Sequence, residues 1–242
     1  MSALLAAHDV VRSFGATRAL DGASLAIDAG EVVAIMGPSG SGKSTLLHCL
    51  AGILPPDAGS VTYDGRELTA MSDRERSALR RRDFGFVFQF GQLVPELDCV
   101  ENAALPLRLE GVRRREAERR ATHWLERLEV ADLAAKRPGE ISGGEGQRVA
   151  VARALATEPR VLFADEPTGA LDSLNGERVM ELLTAAARDH GAAVVLVTHE
   201  PRVAAYADRE IVVRDGRTPT AELDAATSAS GAVESFYGVG SP

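Results

Sequence analysis

The chain has 242 residues, 45% hydrophobic and 26% charged, with a formal net charge of -8; this suits one globular domain, or one domain carrying an inserted lobe, and argues against a general nucleic-acid binder. No apolar run approaches the roughly 18 residues needed to cross a bilayer, and residues 3–7 are too short and lack the basic leader of a secretion signal, so the chain is expected in the cytosol. Cys49 and Cys99 form no disulfide framework, and Cys49, within Leu46-Leu47-His48-Cys49-Leu50, reads as a buried small hydrophobe.

The first third reads as strands. Residues 4–14, 23–27 and 60–63 alternate loosely between turn signals such as Asp28-Ala29-Gly30 and Pro56-Asp57-Ala58-Gly59. Val32–Met36 is short and wholly apolar, as a strand buried on both faces is. Directly after it comes Gly37-Pro38-Ser39-Gly40-Ser41-Gly42-Lys43-Ser44, then an apolar helix over 44–50. Ser72 and Glu75 have capping-box spacing, which predicts a helix running to Arg82. Phe84–Phe88 is a second buried strand.

From Pro95 to Glu158 the pattern turns helical. Ala117, Ala121, Trp124, Leu125 and Leu128 recur at helical spacing, which places Trp124 in a core. Arg113-Arg114-Arg115 with Arg119 and Arg120 read as a solvated helix face; contact with lipid headgroups or an acidic permease segment is the sharper alternative. Ile141-Ser142-Gly143-Gly144-Glu145-Gly146-Gln147-Arg148 opens a helix over 149–156. Further buried strands follow at 161–164, Ala193–Val197 and 211–213, and their spacing by helical segments predicts a mainly parallel α/β sheet. Residues 217–242 are poor in bulky side chains and read as a loose tail, with Phe236 and Tyr237 as its docking candidates.

The glycine loop at 37–44 matches the phosphate-binding pattern in its proper context of strand, loop and helix. Glycines let backbone N–H groups turn inward as an anion nest, and the helix N-terminus adds its dipole. Lys43 reaches phosphate oxygens and the Ser44 hydroxyl suits Mg²⁺. This motif alone does not separate a kinase, a GTPase, a motor and a transporter ATPase. Asp165-Glu166 ends one buried strand, offering one carboxylate for the ion and one to accept a proton from water. Thr198-His199 ends another, at the edge where the phosphates would lie. The second glycine motif, at Ser142, is again an anion site at a helix N-terminus. With a single phosphate loop per chain, the economical reading is that it closes over the nucleotide of a second copy, so that two chains sandwich two ATP molecules head to tail.

Taken together and in this order, these motifs resemble the ATP-binding cassette family over nearly all of residues 1–216. Ile141–Glu145 stand where that family has an LSGGQ-type signature, with Ile141 for Leu and Glu145 for Gln. Asp165 to Asp172 match its Walker B end and D-loop, Gln89 its Q-loop and His199 its switch histidine. The resemblance implies a P-loop NTPase core over 1–91 and 159–216, an N-terminal antiparallel β subdomain, and an inserted α-helical subdomain at about 92–158. It implies that Phe14 stacks on adenine and that Gly37, Pro38, Ser39, Gly40, Ser41, Gly42, Lys43, Ser44 and Thr45 hold the phosphates. Ser44 and Gln89 would ligate Mg²⁺, with Asp165 supporting the ion through water. Glu166 would polarise the attacking water and His199 would contact the γ-phosphate. Ser142, Gly143, Gly144 and Glu145 of a partner copy would cap it, with Asp172 at the dimer interface. The implied partners are a second ATPase subunit and an integral membrane permease at the cytoplasmic face of the membrane, with no nucleic acid; the helical lobe and the Gln89 loop would receive the permease.

Phe88-Gln89-Phe90 with Leu93, Pro95 and Glu101-Asn102, and Glu166-Pro167-Thr168-Gly169, are similar to the LolD, MacB and FtsE group. That narrower likeness implies an FtsX- or MacB-like permease and work of the export or lipoprotein-release type. FtsE-like regulation of division and conventional solute transport are the alternatives. Gly146, Glu200 and Asp98-Cys99 depart from the family pattern; none is a catalytic position, and Gly146 bears on dimer affinity. DNA-repair and translation members of the family, and P-loop kinases, fit less well: the chain has neither a long coiled-coil insertion nor a second cassette, and a kinase would not need the Ser142 motif.

Overall fold

The computed structural model describes residues 3–219. Its elements, in chain order, are β1 (Leu5–Phe14), β2 (Thr17–Ile27), β3 (Val32–Met36), α1 (Lys43–Leu50), β4 (Ala58–Tyr63), β5 (Arg66–Glu67), α2 (Asp73–Asp83), β6 (Phe84–Phe88), α3 (Cys99–Leu109), α4 (Arg114–Arg127), α5 (Gly143–Leu155), β7 (Val161–Asp165), α6 (Ser173–Asp189), β8 (Ala193–Val197), α7 (Pro201–Ala204) and β9 (Arg209–Val212). A five-stranded sheet runs β6-β7-β8-β3-β9, and a four-stranded sheet runs β2-β1-β4-β5. Every pair in the first is parallel and every pair in the second antiparallel. The parallel α/β sheet and the separate antiparallel sheet read from the sequence are therefore present.

The continuous apolar runs follow from burial on both faces. Side chains alternate across a strand, and here each face meets a different core. Val161 and Phe163 of β7, and Val195 and Val197 of β8, pack with α1 and the antiparallel sheet. Leu162 and Ala164, with Val194 and Leu196, pack with α3, α4, α5 and α6. Trp124 is buried in that second core, edge-on to His190 at a centroid distance of 4.7 Å. Cys49 is buried too.

Boundaries moved where polar residues hide a strand or glycines hide a helix. β2 begins at Thr17 because residues 17–22 complete a hairpin, Phe14 pairing with Thr17. Irregular register near Asp9 breaks the alternation a sequence pattern relies on, and the Asp9 amide donates to Ser24 Oγ at 2.8 Å. β9 starts two residues early, at Arg209, because an edge strand carries charge. α5 starts at Gly143, one residue after its Ser142 cap, although only 149–156 show the apolar pattern.

The departures at 98 and 99 have a local reason. Asp98 caps α3, its Oδ1 accepting from the Glu101 amide at 2.8 Å, and Cys99 is buried beneath it. Asn102, also buried, accepts from the Val94 amide and donates to the carbonyls of Val94, Leu97 and Asp98. It thereby holds the connection from β6 to α3. The arginine run on α4 is largely paired: Arg114 with Glu101 and Glu118, Arg119 with Glu116, Arg120 with Glu158. At the end of the described chain, Thr218 Oγ1 donates to the Ser24 carbonyl at 2.7 Å. The tail expected to be loose, with Phe236 and Tyr237, otherwise lies outside the described residues.

Candidate nucleotide site

The parallel register decides which side chains meet. Phe88 lies beside Asp165, Asp165 beside Val197, and Val197 beside Ile35. The residues that follow each strand, Gln89, Glu166, Thr198-His199 and Gly37, therefore leave the sheet along one edge. In open parallel sheets this carboxyl edge is where ligands sit.

The loop after β3 is closed to side chains. A Cβ on Gly37, at φ 146°, would stand 2.2 Å from the Val213 carbonyl oxygen, and one on Gly42, at φ 104°, 2.3 Å from that of Ala19. Ala19 and Leu20 of β2 thus press the antiparallel sheet against the loop. Gly42 caps α1 without any side-chain hydrogen bond, which leaves the first amides of the helix facing the loop. Lys43 is buried, and its Nζ donates to the carbonyls of Gly37 and Pro38, each at 2.9 Å. The Ser41 hydroxyl is buried without a protein partner.

Ser44 follows at the first turn of α1. Its Oγ donates to Asp165 Oδ1 at 3.0 Å across 121 residues of sequence. Burial pushes the Asp165 carboxyl above its ordinary range, only partly offset by the Ser44 bond. Glu166 has a left-handed backbone, φ 48°, a costly conformation for a non-glycine residue that functional sites tolerate. Its amide is held by the Val197 carbonyl at 2.9 Å. Its Oε1 accepts from His199 Nδ1 at 2.8 Å, while Oε2 is buried and unpartnered. That bond raises the His199 pKa above its usual value.

These groups fit a nucleoside triphosphate with a divalent cation. An uncapped helix start, a loop that excludes side chains, an orphaned buried hydroxyl and a buried ammonium suit phosphate oxygens. Among the described residues there is no cluster of three or more His, Cys, Asp or Glu side chains that could hold a metal. A hydroxyl and one carboxylate instead suit Mg²⁺, which keeps water and phosphate ligands rather than a protein cage.

The other sequence-derived residues surround this edge or lie apart from it. Gln89 Nε2 occupies a point 2.8 Å from where a Cβ on residue 169 would stand, so only Gly169 lets the amide lie there. Phe14 is 50% exposed at the end of β1, with the Arg12 guanidinium 5.2 Å from its ring centre. Ser142 caps α5; its amide and hydroxyl both donate to Glu145 Oε2, at 2.7 and 2.8 Å. Gly144 packs against Asn175, whose side chain a Cβ there would meet at 2.8 Å. Among the described residues no hydrogen bond joins Ser142, Gly143, Gly144 or Glu145 to Lys43, Ser44, Asp165, Glu166 or His199. Asp172 caps α6 through the Asn175 amide at 3.0 Å. Asn175 itself carries no sequence signal: a polar residue early in a helix gives no sign that its side chain abuts a glycine thirty-one positions away.

A sheet edge of this kind, fed by a glycine loop and an Asp-Glu strand end, defines a P-loop nucleoside triphosphatase. A family profile described as ABC transporter matches residues 20–169. Curated relatives named "Lipoprotein-releasing system ATP-binding protein LolD" include that of Hyphomonas neptunium, 43% identical over 84% of this chain and 89% of the relative, and that of Paramagnetospirillum magneticum, 48% identical over 81% and 87%. Among solved structures, the dimeric ATP-binding cassette MJ0796 in a post-hydrolysis state bound to ADP and Pi is 39% identical, with a TM-score of 0.80 over 88% of this chain and 96% of that one. The cbiO1 cassette of Clostridium perfringens is 29% identical, with a TM-score of 0.82 over 95% and 93%. The chain belongs to the ABC transporter family. It is an ATP-hydrolysing cassette of the LolD type, in keeping with the sequence reading.

Proposed function

We propose that the chain binds ATP with Mg²⁺ along the carboxyl edge of its parallel sheet, closes face to face with a second copy, and so drives a membrane permease of the lipoprotein-releasing kind at the cytoplasmic face. The observation that carries the reading is the pairing of Ser44 with Asp165 beside that of Glu166 with His199. The names of the LolD relatives support lipoprotein release, and the dimeric neighbour supports closure between two copies.

In this reading Phe14 stacks on adenine, while Gly37 through Thr45 and the α1 amides hold the phosphates. Ser44, Gln89 and Asp165 would hold the ion, which would supply neutralisation of charge on the phosphate oxygens. Glu166 Oε2, free of any protein partner, accepts the proton of the attacking water. His199 spends Nδ1 on Glu166 Oε1, which fixes the carboxylate and leaves Nε2 for the γ-phosphate. Ser142, Gly143 and Gly144 of the partner cap that phosphate. Glu145 fixes the serine that does so.

The helical lobe, about 92–158, would receive the permease. A cleft of about 520 Å³ opens between this lobe and α2 and β6, lined by Arg80, Phe84, Phe88, Pro106, Leu109 and Arg153. Phe90 and Leu109 are exposed large apolar residues of the same region. The direct test is capture: Glu166→Gln protein, held with ATP, is used to pull partners from detergent-solubilised membranes. A permease with about four spans and a large extracytoplasmic domain supports the reading. One with many spans and no such domain points to ordinary solute transport instead.

A further inference from the structure

Phe14 is a half-exposed ring at the end of β1, and a ring beside a turn changes rotamer freely unless something holds it. Arg12, two positions earlier on the same strand, stands against it, with its guanidinium carbon over the ring at 5.2 Å from the centre. That is within the reach at which a cation is attracted to an aromatic face. The guanidinium is in turn tied down. Arg12 Nη1 donates to Asp57 Oδ1 at 2.7 Å and to the Pro55 carbonyl at 3.1 Å. Its Nε is buried without a partner, so hydrogen bonds alone do not account for the pose.

Asp57 holds three consecutive residues of β1. Its amide donates to the Val11 carbonyl at 2.8 Å, its Oδ1 accepts from Arg12, and its Oδ2 accepts from the Ser13 amide at 2.7 Å. These bonds fall where the β1–β2 register is irregular, between Arg12 and Ser13, so the turn before β4 stiffens the strand where its own ladder is broken. Arg12 also pairs with Leu20, whose side chain would stand 3.1 Å from a Cβ on Gly42. The hairpin that carries Phe14 is thus seated on the phosphate loop. Its end is fixed through β2 on one side and through Asp57 on the other.

The geometry points to Arg12 and Asp57 as positioning residues for the nucleotide base: Asp57 fixes the Arg12 guanidinium on one face of Phe14, and the base stacks on the opposite face. The inference rests on the stacking role given above to Phe14. Its physical content is preorganisation: a ring already held by a cation loses no rotamer freedom when the base arrives.

The test uses the full chain in the Glu166→Gln background, where no turnover confuses binding. A ribose-labelled fluorescent ATP analogue is bound with Mg²⁺ and displaced in turn by ATP and by inorganic tripolyphosphate, which carries the phosphates without a base. Arg12→Gln should weaken ATP binding about five-fold and leave tripolyphosphate unchanged. Arg12→Lys, which keeps a cation for the ring, should recover most of that loss. Asp57→Asn should weaken ATP about two-fold, again without touching tripolyphosphate. Phe14→Ala should weaken ATP on the order of ten-fold, and Arg12→Gln added to Phe14→Ala should bring no further loss, since both act through one ring. Equal losses for ATP and tripolyphosphate would make Arg12 a support of the phosphate loop and overturn the assignment, as would a loss that multiplies with that of Phe14→Ala. Should Arg12→Gln not fold, Asp57→Asn carries the same pair of displacements. If Phe14→Ala leaves ATP affinity unchanged, the stacking role fails and the positioning with it. If Phe14→Ala weakens ATP while Arg12→Gln does not, stacking stands and the positioning alone fails.

Discussion

The sheet edge and the start of α5 are both helix-and-glycine anion sites, yet they are finished differently. At the edge, the polar atoms converge within one chain: Ser44 on Asp165, Glu166 on His199, Lys43 on its own loop. Three buried oxygens among the described residues, Ser41 Oγ, Glu166 Oε2 and Thr168 Oγ1, remain without protein partners. At α5, the serine and its carboxylate satisfy each other, and Ser142 and Gly143 face outward. The first site gathers polar groups from three strand ends and a helix start, whereas no hydrogen bond of the second reaches those groups. The same local chemistry thus gathers polar groups of one chain in one place and satisfies itself at a helix start in the other.

The comparison breaks most sharply at Glu166. Glu166→Gln should lower kcat by about 10²–10⁴-fold, the range for removing a general base, with ATP binding intact. A steady-state rate near the unaltered one would remove Glu166 from the proton transfer.

At the second site, Ser142→Ala should cost about 1 kcal/mol of stability through loss of the α5 cap, read by urea unfolding. It should also lower turnover without weakening ATP binding to the monomer. A weaker monomer affinity would mean that Ser142 serves its own chain's nucleotide.

Gly146 sharpens the contrast from the stability side. A Cβ there would make only ordinary contacts, 3.7 Å to Ile141 and 3.9 Å to Leu93. Gly146→Ala should therefore stabilise the chain by about 0.5–1 kcal/mol; a fall in thermal midpoint would show that the glycine is needed for close packing.

The smallest effect concerns pH. The Glu166 bond raises the His199 pKa, so its contribution is full below the ordinary histidine value near 6.5 and is lost as pH rises through the raised one. The His199 side chain is 60% exposed, and solvent screens the pair. An NMR titration should place the His199 midpoint above 6.5 and show it falling toward that value in Glu166→Gln; an identical midpoint in both would mean that the pair does not form in solution.

The core strands were legible because burial on both faces leaves a plain signature: Val32–Met36, Phe84–Phe88 and Ala193–Val197 begin and end where the sequence pattern does. The capping box of α2 was legible for an equally local reason, since Ser72 and Glu75 meet within one turn. β5 and the first half of β2 were not, because short polar edge segments are strands only by virtue of what they pair with. Asp98 looked like a departure until it proved to cap α3, and the pairing of Glu145 with the Ser142 cap of α5 is another contact within one turn.

What the sequence by itself determined is whatever a strand and its next few residues can say: the phosphate loop, the Asp165-Glu166 and Thr198-His199 strand ends, the glycine start of a helix. Each is a short-range pattern tied to backbone geometry. The tertiary structure decided the rest. The strand order β6-β7-β8-β3-β9 brings Ser44 to Asp165 and His199 to Glu166. α5, packed against the end of β6, holds the Gln89 loop through Gln147 and Arg153. Those contacts join residues 33 to 121 positions apart, and no local pattern carries them, because a hydrogen bond between distant residues exists only once the sheet has set their positions.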